Sequence, residues 1–297
     1  MATKERPIQV APTAKDFRGK VAPDWCPSCG HSGILTAFRN AFAKQGRGRH
    51  EYLTVSGIGC SSNLPGYVPT YGMHTLHGRA LAVATGAKLA NHEMSVVVTG
   101  GDGDGYGIGG NHFIHTMRKN VDLLYVVMNN QIYGLTIGQA SPTSLLGMAT
   151  KSTPFGNVET PLNPIAMAIV AGATFVARGF SAEMKELTEL MYQGMQHKGF
   201  ALIDVFSPCV TFNKDNTYDY FKERVRFLDE DHDTSNKAAA LEQAVKWGDE
   251  IPIGLFYQDT SRPSLDESEP VLEHGPMAHQ PLGVTPEQGA AIIQRMM

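Results

Sequence analysis

Short apolar runs and longer amphipathic stretches alternate along most of the chain. The apolar runs are rich in β-branched and aromatic residues, which favours buried strands. They predict strands over residues 52–56, 95–99, 123–128, 174–177 and 200–206. The stretches between them repeat apolar residues at helical spacing and predict helices over residues 34–42, 80–90, 110–119 and 163–172. We expect Ser32 to cap the first of these helices and Ser181 to cap a further one.

Strands that alternate with helices favour an α/β fold with a doubly wound, mainly parallel sheet. In such sheets ligands bind beyond the carboxyl ends of the strands. Cys60, Asp102, Asn130 and Cys209 each follow a predicted strand closely. We therefore expect these four residues to share one region of the molecule.

The two ends of the chain differ from this alternating pattern. Residues 1–20 are polar and without a period, which predicts an N-terminal arm, and residues 21–210 form the predicted domain. Residues 211–297 are richer in prolines and acids, with a helix predicted over residues 238–247 and one more strand over 251–257. We interpret them as a C-terminal extension that wraps the domain or a partner.

Bulk composition narrows the class of protein. The chain has 297 residues, of which 42% are hydrophobic, so it can form a sizeable core. A net charge of −4 without a Lys/Arg block gives no reason to expect nucleic acid as a partner. The chain has no long apolar segment and no leader-like N-terminus, so we expect a cytoplasmic protein that does not enter a membrane. Its four cysteines favour metal or redox chemistry over structural disulfides.

Two strand ends carry the residues of a candidate phosphate and metal site. The glycines and acids of residues 100–105 follow one strand, and Asn129 and Asn130 follow the next. Glycine backbone can approach a phosphate closely, and carboxylate and amide oxygens suit Mg²⁺. The pattern therefore predicts a site for a diphosphate bridged by Mg²⁺.

A dinucleotide site is the alternative for the same region, because residues 105–110 satisfy G-x-G-x-x-G. That fingerprint requires an acidic residue at the end of the next strand, where this chain has Asn129 and Asn130. The pattern therefore favours the Mg²⁺–diphosphate interpretation over NAD.

The four cysteines are Cys26, Cys29, Cys60 and Cys209. Four thiolates can hold either a [4Fe–4S] cluster or a zinc ion. Spacing alone leaves both open, together with ordinary buried thiols. One C-x-x-C pair with two distant single cysteines is an uncommon arrangement for structural zinc.

Longer motifs carry a resemblance to a known family. The stretch GDGDGYGIGGNHFIHTMRKNVDLLYVVMNNQIYGLTIGQASPTS resembles the thiamine-diphosphate motif of the 2-oxoacid:ferredoxin oxidoreductases, specifically that of their β subunit. The segments WCPSCG, GIGCSS and SPC resemble the cluster-binding segments of the same subunits. The resemblance implies a sheet of the type that holds the diphosphate of thiamine diphosphate, and a [4Fe–4S] cluster on all four cysteines.

The resemblance also implies roles for single residues. Asp102, Asn130 and the Ile132 carbonyl would bind Mg²⁺. His74 and His77 lie in a segment that is near the cofactor in the family and are candidates for a direct role. The residues that would contact thiamine diphosphate are Gly101, Asp102, Gly103, Asp104, Asn130, Ile132, Gly134, Leu135 and Thr136.

The reaction implied by the resemblance is oxidative decarboxylation of a 2-oxoacid to acyl-CoA and CO₂, or the reverse carboxylation. Coenzyme A would be the co-substrate and ferredoxin the electron partner. A separate α subunit would supply the glutamate that activates the cofactor, in an αβ or (αβ)₂ assembly. The substrate we expect is 2-oxoglutarate, with pyruvate and branched-chain 2-oxoacids as alternatives.

One position departs from the family pattern. Many relatives have a lysine where this chain has Ile137, so a cation for a distal substrate carboxylate must come from elsewhere. Two functions of other classes also stay open, an NAD-dependent oxidoreductase and a non-enzymatic metal scaffold.

Overall fold

A computed structural model describes residues 11–281 and 283–297. Its eight described strands are β1 (Tyr52–Ser56), β2 (Tyr71–His74), β3 (Ser95–Gly101), β4 (Leu123–Asn129), β5 (Phe175–Phe180), β6 (Phe200–Phe206), β7 (Val225–Phe227) and β8 (Ile251–Gln258). They form one sheet in the order β2-β1-β3-β4-β6-β5-β8-β7. Neighbouring strands are parallel except β5 and β8, which are antiparallel.

Helices cover both faces of this sheet, as a doubly wound fold requires. They are α1 (His31–Gln45), α2 (Ala80–Ala90), α3 (Gly110–Lys119), α4 (Pro164–Ala171), α5 (Met184–Gln196), α6 (Tyr218–Arg224), α7 (Lys237–Ala244), α8 (Leu265–Ser268) and α9 (Pro286–Met296). The predicted α/β class and mainly parallel sheet are confirmed. No described helix is long and apolar enough to cross a membrane.

The core consists of two main apolar layers, one on each face of the sheet. Phe38 of α1 and Met191 of α5 belong to one layer, and Phe113 of α3 and Ile165 of α4 belong to the other. The central strands β4 and β6 are buried along their whole length. Burial on both faces explains why these strands are continuous apolar runs rather than alternating ones.

Two predicted helix caps are wrong. Ser32 lies inside α1 rather than before it, because the helix begins at His31 and Gly30 is its N-cap residue. The Ser32 N–H donates to the Cys29 carbonyl at 3.1 Å. The Ser181 N–H donates to the Phe206 carbonyl at 3.0 Å. That contact keeps Ser181 beside the sheet, so α5 begins later, at Met184. The predicted helix over residues 238–247 runs instead from Lys237 to Ala244.

Both ends of the chain contact the domain. In the N-terminal arm, Phe17 is fully buried and packs against Phe42 and Tyr52, with ring centroids 5.2 and 5.7 Å away. Residues 1–10 of the predicted arm lie outside the described residues. The predicted C-terminal extension contributes β7 and β8 to the sheet, and β8 pairs with β5. The predicted boundary at residue 210, between the domain and the C-terminal extension, stays a prediction.

Candidate cofactor site

The carboxyl ends of four parallel strands meet at one edge of the sheet. There β1, β3, β4 and β6 are neighbours in that order. Cys60, Asp102 and Asn130 line one cleft at this edge. A β-carbon placed on Gly134 would lie 3.6 Å from Cys209 Sγ and 3.9 Å from Cys60 Sγ. The expectation that these strand ends share one region is confirmed.

Asp102 is the buried carboxylate of this cleft, with 1% of its surface exposed. Its Oδ2 accepts hydrogen bonds from Ser141 Oγ at 2.5 Å and Thr143 Oγ1 at 2.7 Å. Its Oδ1 receives a longer contact, 3.4 Å from the Asn130 N–H. Burial raises the pKa of Asp102, and the bonds from Ser141 and Thr143 oppose that rise. We call Asp102, Ser141 and Thr143 the carboxylate pocket.

Asn130 is held beside the carboxylate pocket by its neighbours. Its Oδ1 accepts the Ile132 N–H at 3.1 Å, and its carbonyl accepts from Asn213 Nδ2 at 3.0 Å. Both Asn130 and Ile132 line the cleft. The C-terminal extension therefore helps to fix a predicted metal ligand, through Asn213.

The glycines at positions 103 and 105 are explained by close packing. A β-carbon on Gly103 would lie 2.2 Å from the Tyr133 ring, and one on Gly105 would lie 1.9 Å from the Tyr125 hydroxyl. The sequence pattern predicts in addition that the backbone of these glycines can approach a phosphate, and this stays a prediction. The structure shows that two tyrosines already occupy the space where their side chains would be.

Asp104 fixes the loops that surround the cleft. Its Oδ1 accepts the Gly78 N–H at 2.7 Å and the Ile58 N–H at 2.9 Å. His77 Nδ1 lies 3.1 Å from the same oxygen, and the two form an ion pair when the ring is protonated. Burial raises the pKa of Asp104. Its side chain therefore ties loops together, and only its backbone remains a candidate for binding diphosphate.

The two candidate histidines occupy different surroundings. His77 lines the cleft. His74 is on the edge strand β2, where its Nδ1 lies 3.0 Å from Ser56 Oγ and 3.2 Å from the Ser62 carbonyl. His74 is not among the residues that line the cleft. The geometry therefore favours His77 of the pair.

The loop after Asn130 forms the outer wall of the cleft. Gly134, Leu135 and Thr136 line it, as the resemblance implied. The Thr136 hydroxyl donates to Gln139 Oε1 at 2.6 Å, so it is engaged within its own loop. Ile137 has φ of +68°, an uncommon backbone conformation for a β-branched residue, and its side chain is exposed.

The four cysteines, which we call the thiol set, are close enough to influence each other's charge. Burial raises the pKa of Cys29 to about 11, and the neighbouring Cys209, Cys60 and Cys26 raise it as well, whereas the His31 N–H lowers it. All four are unpaired, and Cys26 is the exposed member. Among the described residues, no three His, Cys, Asp or Glu side chains are arranged to hold a single metal ion.

Three residues near the thiol set were not found from the sequence. Trp25 Nε1 donates to the Cys60 carbonyl at 2.6 Å. His31 is buried between the cleft and Ser207, whose Oγ lies 2.6 Å from His31 Nδ1, and burial lowers the His31 pKa to about 4. Ser61 Oγ is buried at the cleft and has no hydrogen-bond partner within residues 11–281 and 283–297. Their positions next to cysteines were the only signal that the sequence offered.

Comparison with known proteins places this site in a class. The family model described as "Thiamine pyrophosphate enzyme, C-terminal TPP binding domain" matches residues 57–205. A second family model, for the C-terminal part of the beta chain of pyruvate ferredoxin oxidoreductase, matches residues 209–274. The fold is thus that of a thiamine-diphosphate-binding domain.

Individual relatives are similar over nearly the whole chain. A 2-oxoacid:ferredoxin oxidoreductase subunit beta of Saccharolobus solfataricus is 46% identical, covering 86% of this chain and 90% of that protein. A 2-oxoacid:ferredoxin oxidoreductase 1 subunit beta of Aeropyrum pernix is 43% identical, covering 93% and 92%. A solved structure of the 2-oxoglutarate:ferredoxin oxidoreductase of Magnetococcus marinus matches with a TM-score of 0.90 and 44% identity, covering 96% and 97%. The chain belongs to the β subunits of the 2-oxoacid:ferredoxin oxidoreductases.

Proposed function

We propose that this β subunit, together with an α subunit, catalyses the CoA-dependent oxidative decarboxylation of 2-oxoglutarate, or its reversal, with ferredoxin as the electron partner. The observation that carries the proposal is the likeness to the Magnetococcus marinus enzyme, whose structure has 2-oxoglutarate, coenzyme A and succinyl-CoA bound. The likeness covers almost all of both chains, so it includes the cleft.

The cleft residues fit a diphosphate and a divalent cation. Asp102 is a buried carboxylate whose raised pKa would fall again beside a cation. Its Oδ2 is occupied by two hydroxyl donors, which leaves Oδ1 for Mg²⁺. Asn130 and the Ile132 carbonyl would complete the protein ligands. Ser61 Oγ, buried and facing the cleft, would donate to a diphosphate oxygen.

The chain's own residues bind and orient in this proposal. Gly103 and Asp104 begin the π-helical segment Gly103–Ile108, and the first N–H groups of a helix lack partners within it. These groups would face the diphosphate, together with Gly101, Gly134, Leu135 and Thr136 along the wall. When bound, thiamine diphosphate supplies a carbon nucleophile and an electron sink. The glutamate that activates it would come from the α subunit.

The thiol set fits an iron–sulfur cluster. Burial raises the pKa of Cys29 and of Cys60, and the neighbouring thiols raise it further, so these two remain thiols unless a positive centre stabilises their charge. Ligands of a [4Fe–4S] cluster each bind a different iron atom, so they lie farther apart than ligands of one shared ion. Such a cluster accepts electrons one at a time. Because Cys26 is the exposed ligand, we propose that ferredoxin approaches on its side.

The substrate carboxylate would be recognised mainly by the α subunit. Among the described residues that line the cleft, none is lysine or arginine. The nearby wall instead exposes Leu135 and Ile137. A distal carboxylate buried without a cationic partner would be costly. We therefore propose that the cation for 2-oxoglutarate is an α-subunit residue.

Because thiols stay unpaired in a reducing compartment, we also propose a cytoplasmic location.

The test is to purify the complex of both subunits and compare its substrates. We expect bound thiamine and iron, no retained NAD, and CoA-dependent ferredoxin reduction that is fastest with 2-oxoglutarate. Replacing basic residues of the α subunit should raise the KM for 2-oxoglutarate and leave that for pyruvate little changed. Much faster turnover of pyruvate would contradict the substrate, and a complex without thiamine or iron would contradict the reaction class.

A further inference from the structure

A second buried carboxylate lies behind the carboxylate pocket. Asp204 is the one charged residue of β6, a strand that is otherwise apolar, and only 1% of its surface is exposed. Burial raises its pKa to about 6, although the Arg178 charge and hydrogen bonds from Tyr106 and Asn129 lower it. Burying a carboxylate in the centre of a sheet is costly unless hydrogen bonds and an opposite charge compensate it.

The contacts of Asp204 lead toward the cleft. Its Oδ1 accepts from the Tyr106 hydroxyl at 2.9 Å and from Asn129 Nδ2 at 3.1 Å. Arg178 is its register partner on β5 and is also buried. With its Nδ2 directed at Asp204, Asn129 presents its Oδ1 in the opposite direction.

Asn129 also contacts the carboxylate pocket. Its Oδ1 accepts the Gln131 N–H at 3.2 Å and lies 3.0 Å from Thr143 Oγ1. Thr143 has one hydroxyl proton, which it shares between Asn129 Oδ1 and the nearer, charged Asp102 Oδ2 at 2.7 Å. Three successive contacts thus connect Asp204 to Asp102 through Asn129 and Thr143.

We propose that Asp204 is a positioning residue for Asp102: it fixes the Asn129 amide, and Asn129 and Thr143 together hold Asp102 in the orientation that Mg²⁺ requires. The proposal rests on the proposed function, because it takes Asp102 as the cation ligand. Residues behind a metal ligand orient it in this way in many metal sites.

The choice of cation distinguishes positioning from mere stability. Mg²⁺ demands near-ideal octahedral geometry, whereas Ca²⁺ accepts flexible coordination. A misoriented Asp102 should therefore lower the affinity for Mg²⁺ more than the affinity for Ca²⁺. General destabilisation of the protein should lower both affinities alike.

The experiment compares Asp204→Leu with Asp204→Asn in the complete complex with the α subunit. After chelation, thiamine diphosphate is titrated calorimetrically at a series of free Mg²⁺ or free Ca²⁺ concentrations. We expect Asp204→Leu to lower the apparent Mg²⁺ affinity by about 10- to 100-fold, and the Ca²⁺ affinity clearly less. Asp204→Asn keeps an oxygen that accepts from Asn129 and Tyr106, so it should retain the Mg²⁺ to Ca²⁺ ratio despite leaving Arg178 without its counter-charge.

An unchanged ratio in Asp204→Leu, or an equal Mg²⁺ loss in both variants, would overturn the proposal. If Asp204→Leu does not fold, Asn129→Leu removes the amide through which Asp204 acts and leaves the Thr143 hydroxyl beside Asp102; a shifted ratio there supports the proposal and an unchanged one overturns it. Asp102→Ala is measured in parallel. If Asp102→Ala also leaves cation affinity unchanged, the cation site itself is wrong, which separates failure of the proposed function from failure of the positioning role.

Discussion

The carboxylate pocket and the thiol set lie at the same edge of the sheet but are built differently. In the pocket, Asp102 is enclosed and receives hydrogen bonds from Ser141 and Thr143. The thiol set includes the exposed Cys26, and burial together with the neighbouring cysteines raises the pKa of Cys29. The pocket is therefore organised by contacts within the protein, whereas the thiol set would need the proposed cluster to stabilise its thiolates.

The largest expected effect is on the thiol set. Cys209→Ala removes one of four proposed cluster ligands, which leaves an iron atom open to solvent and oxidation. We expect loss of most bound iron and of ferredoxin reduction, measured by metal analysis and assay of the purified complex. Thr211→Ala, an exposed neighbour, serves as the control. Full iron content and normal turnover in Cys209→Ala would contradict the ligand assignment.

The next effect should be confined to the carboxylate pocket. Asp102→Ala removes the proposed anionic ligand of Mg²⁺, and we expect thiamine diphosphate affinity to fall by more than about tenfold, or about 1.4 kcal/mol. Iron content should stay unchanged, because the two regions are held by different contacts. Calorimetry and metal analysis measure both quantities, with the exposed Asp215→Ala as the control. Unaltered cofactor affinity would argue against the site.

A smaller effect concerns His31, which lies between the two regions. The folded protein holds its pKa at about 4 instead of 6.5, so falling pH protonates the unfolded chain first and favours unfolding. Between about pH 6.5 and 4 this residue should cost about 3 kcal/mol of unfolding free energy. His31→Gln should lose less stability over that range in urea titrations. Asp204 titrates in the same window with the opposite sign, but it is present in both proteins and cancels in the comparison. Parallel pH curves for the two proteins would show that His31 is not the cause.

The smallest effect concerns the wall of the cleft. Ile137 is held at φ of +68°, a left-handed conformation that costs a β-branched residue about 1–2 kcal/mol. Asparagine tolerates that conformation better, so Ile137→Asn should raise the free energy of unfolding by about 1 kcal/mol. Leu135→Asn is the matched control, because Leu135 is similarly exposed and is not among the positive-φ residues. An equal gain in both variants would point to lost surface hydrophobicity rather than relieved strain.

The strands and the meeting of their ends were predictable because burial on both faces leaves uninterrupted apolar runs in the sequence. The pairing of Asp102 with Ser141 and Thr143 was not, since hydroxyl residues far along the chain give no periodic signal. The packing of Gly103 against Tyr133 and of Gly105 against Tyr125 could not be foreseen, because a sequence does not show which tyrosines face these glycines. Asp204 could have been noticed as the single charge in an apolar strand, but its connection to Asp102 depends on the register of β4 and β6.

The order of strands in the sheet also constrains when the site can form during synthesis. The first and last cysteines are contributed from before β1 and after β6, and β6 pairs with β4 and β5 in the centre of the sheet. A nascent chain that has emerged only as far as β5 lacks Asp204, Asn213 and Cys209 together. Delivery of the proposed cluster to such a chain would be premature, so we expect maturation of the subunit to wait until β6 has left the ribosome and joined its neighbours.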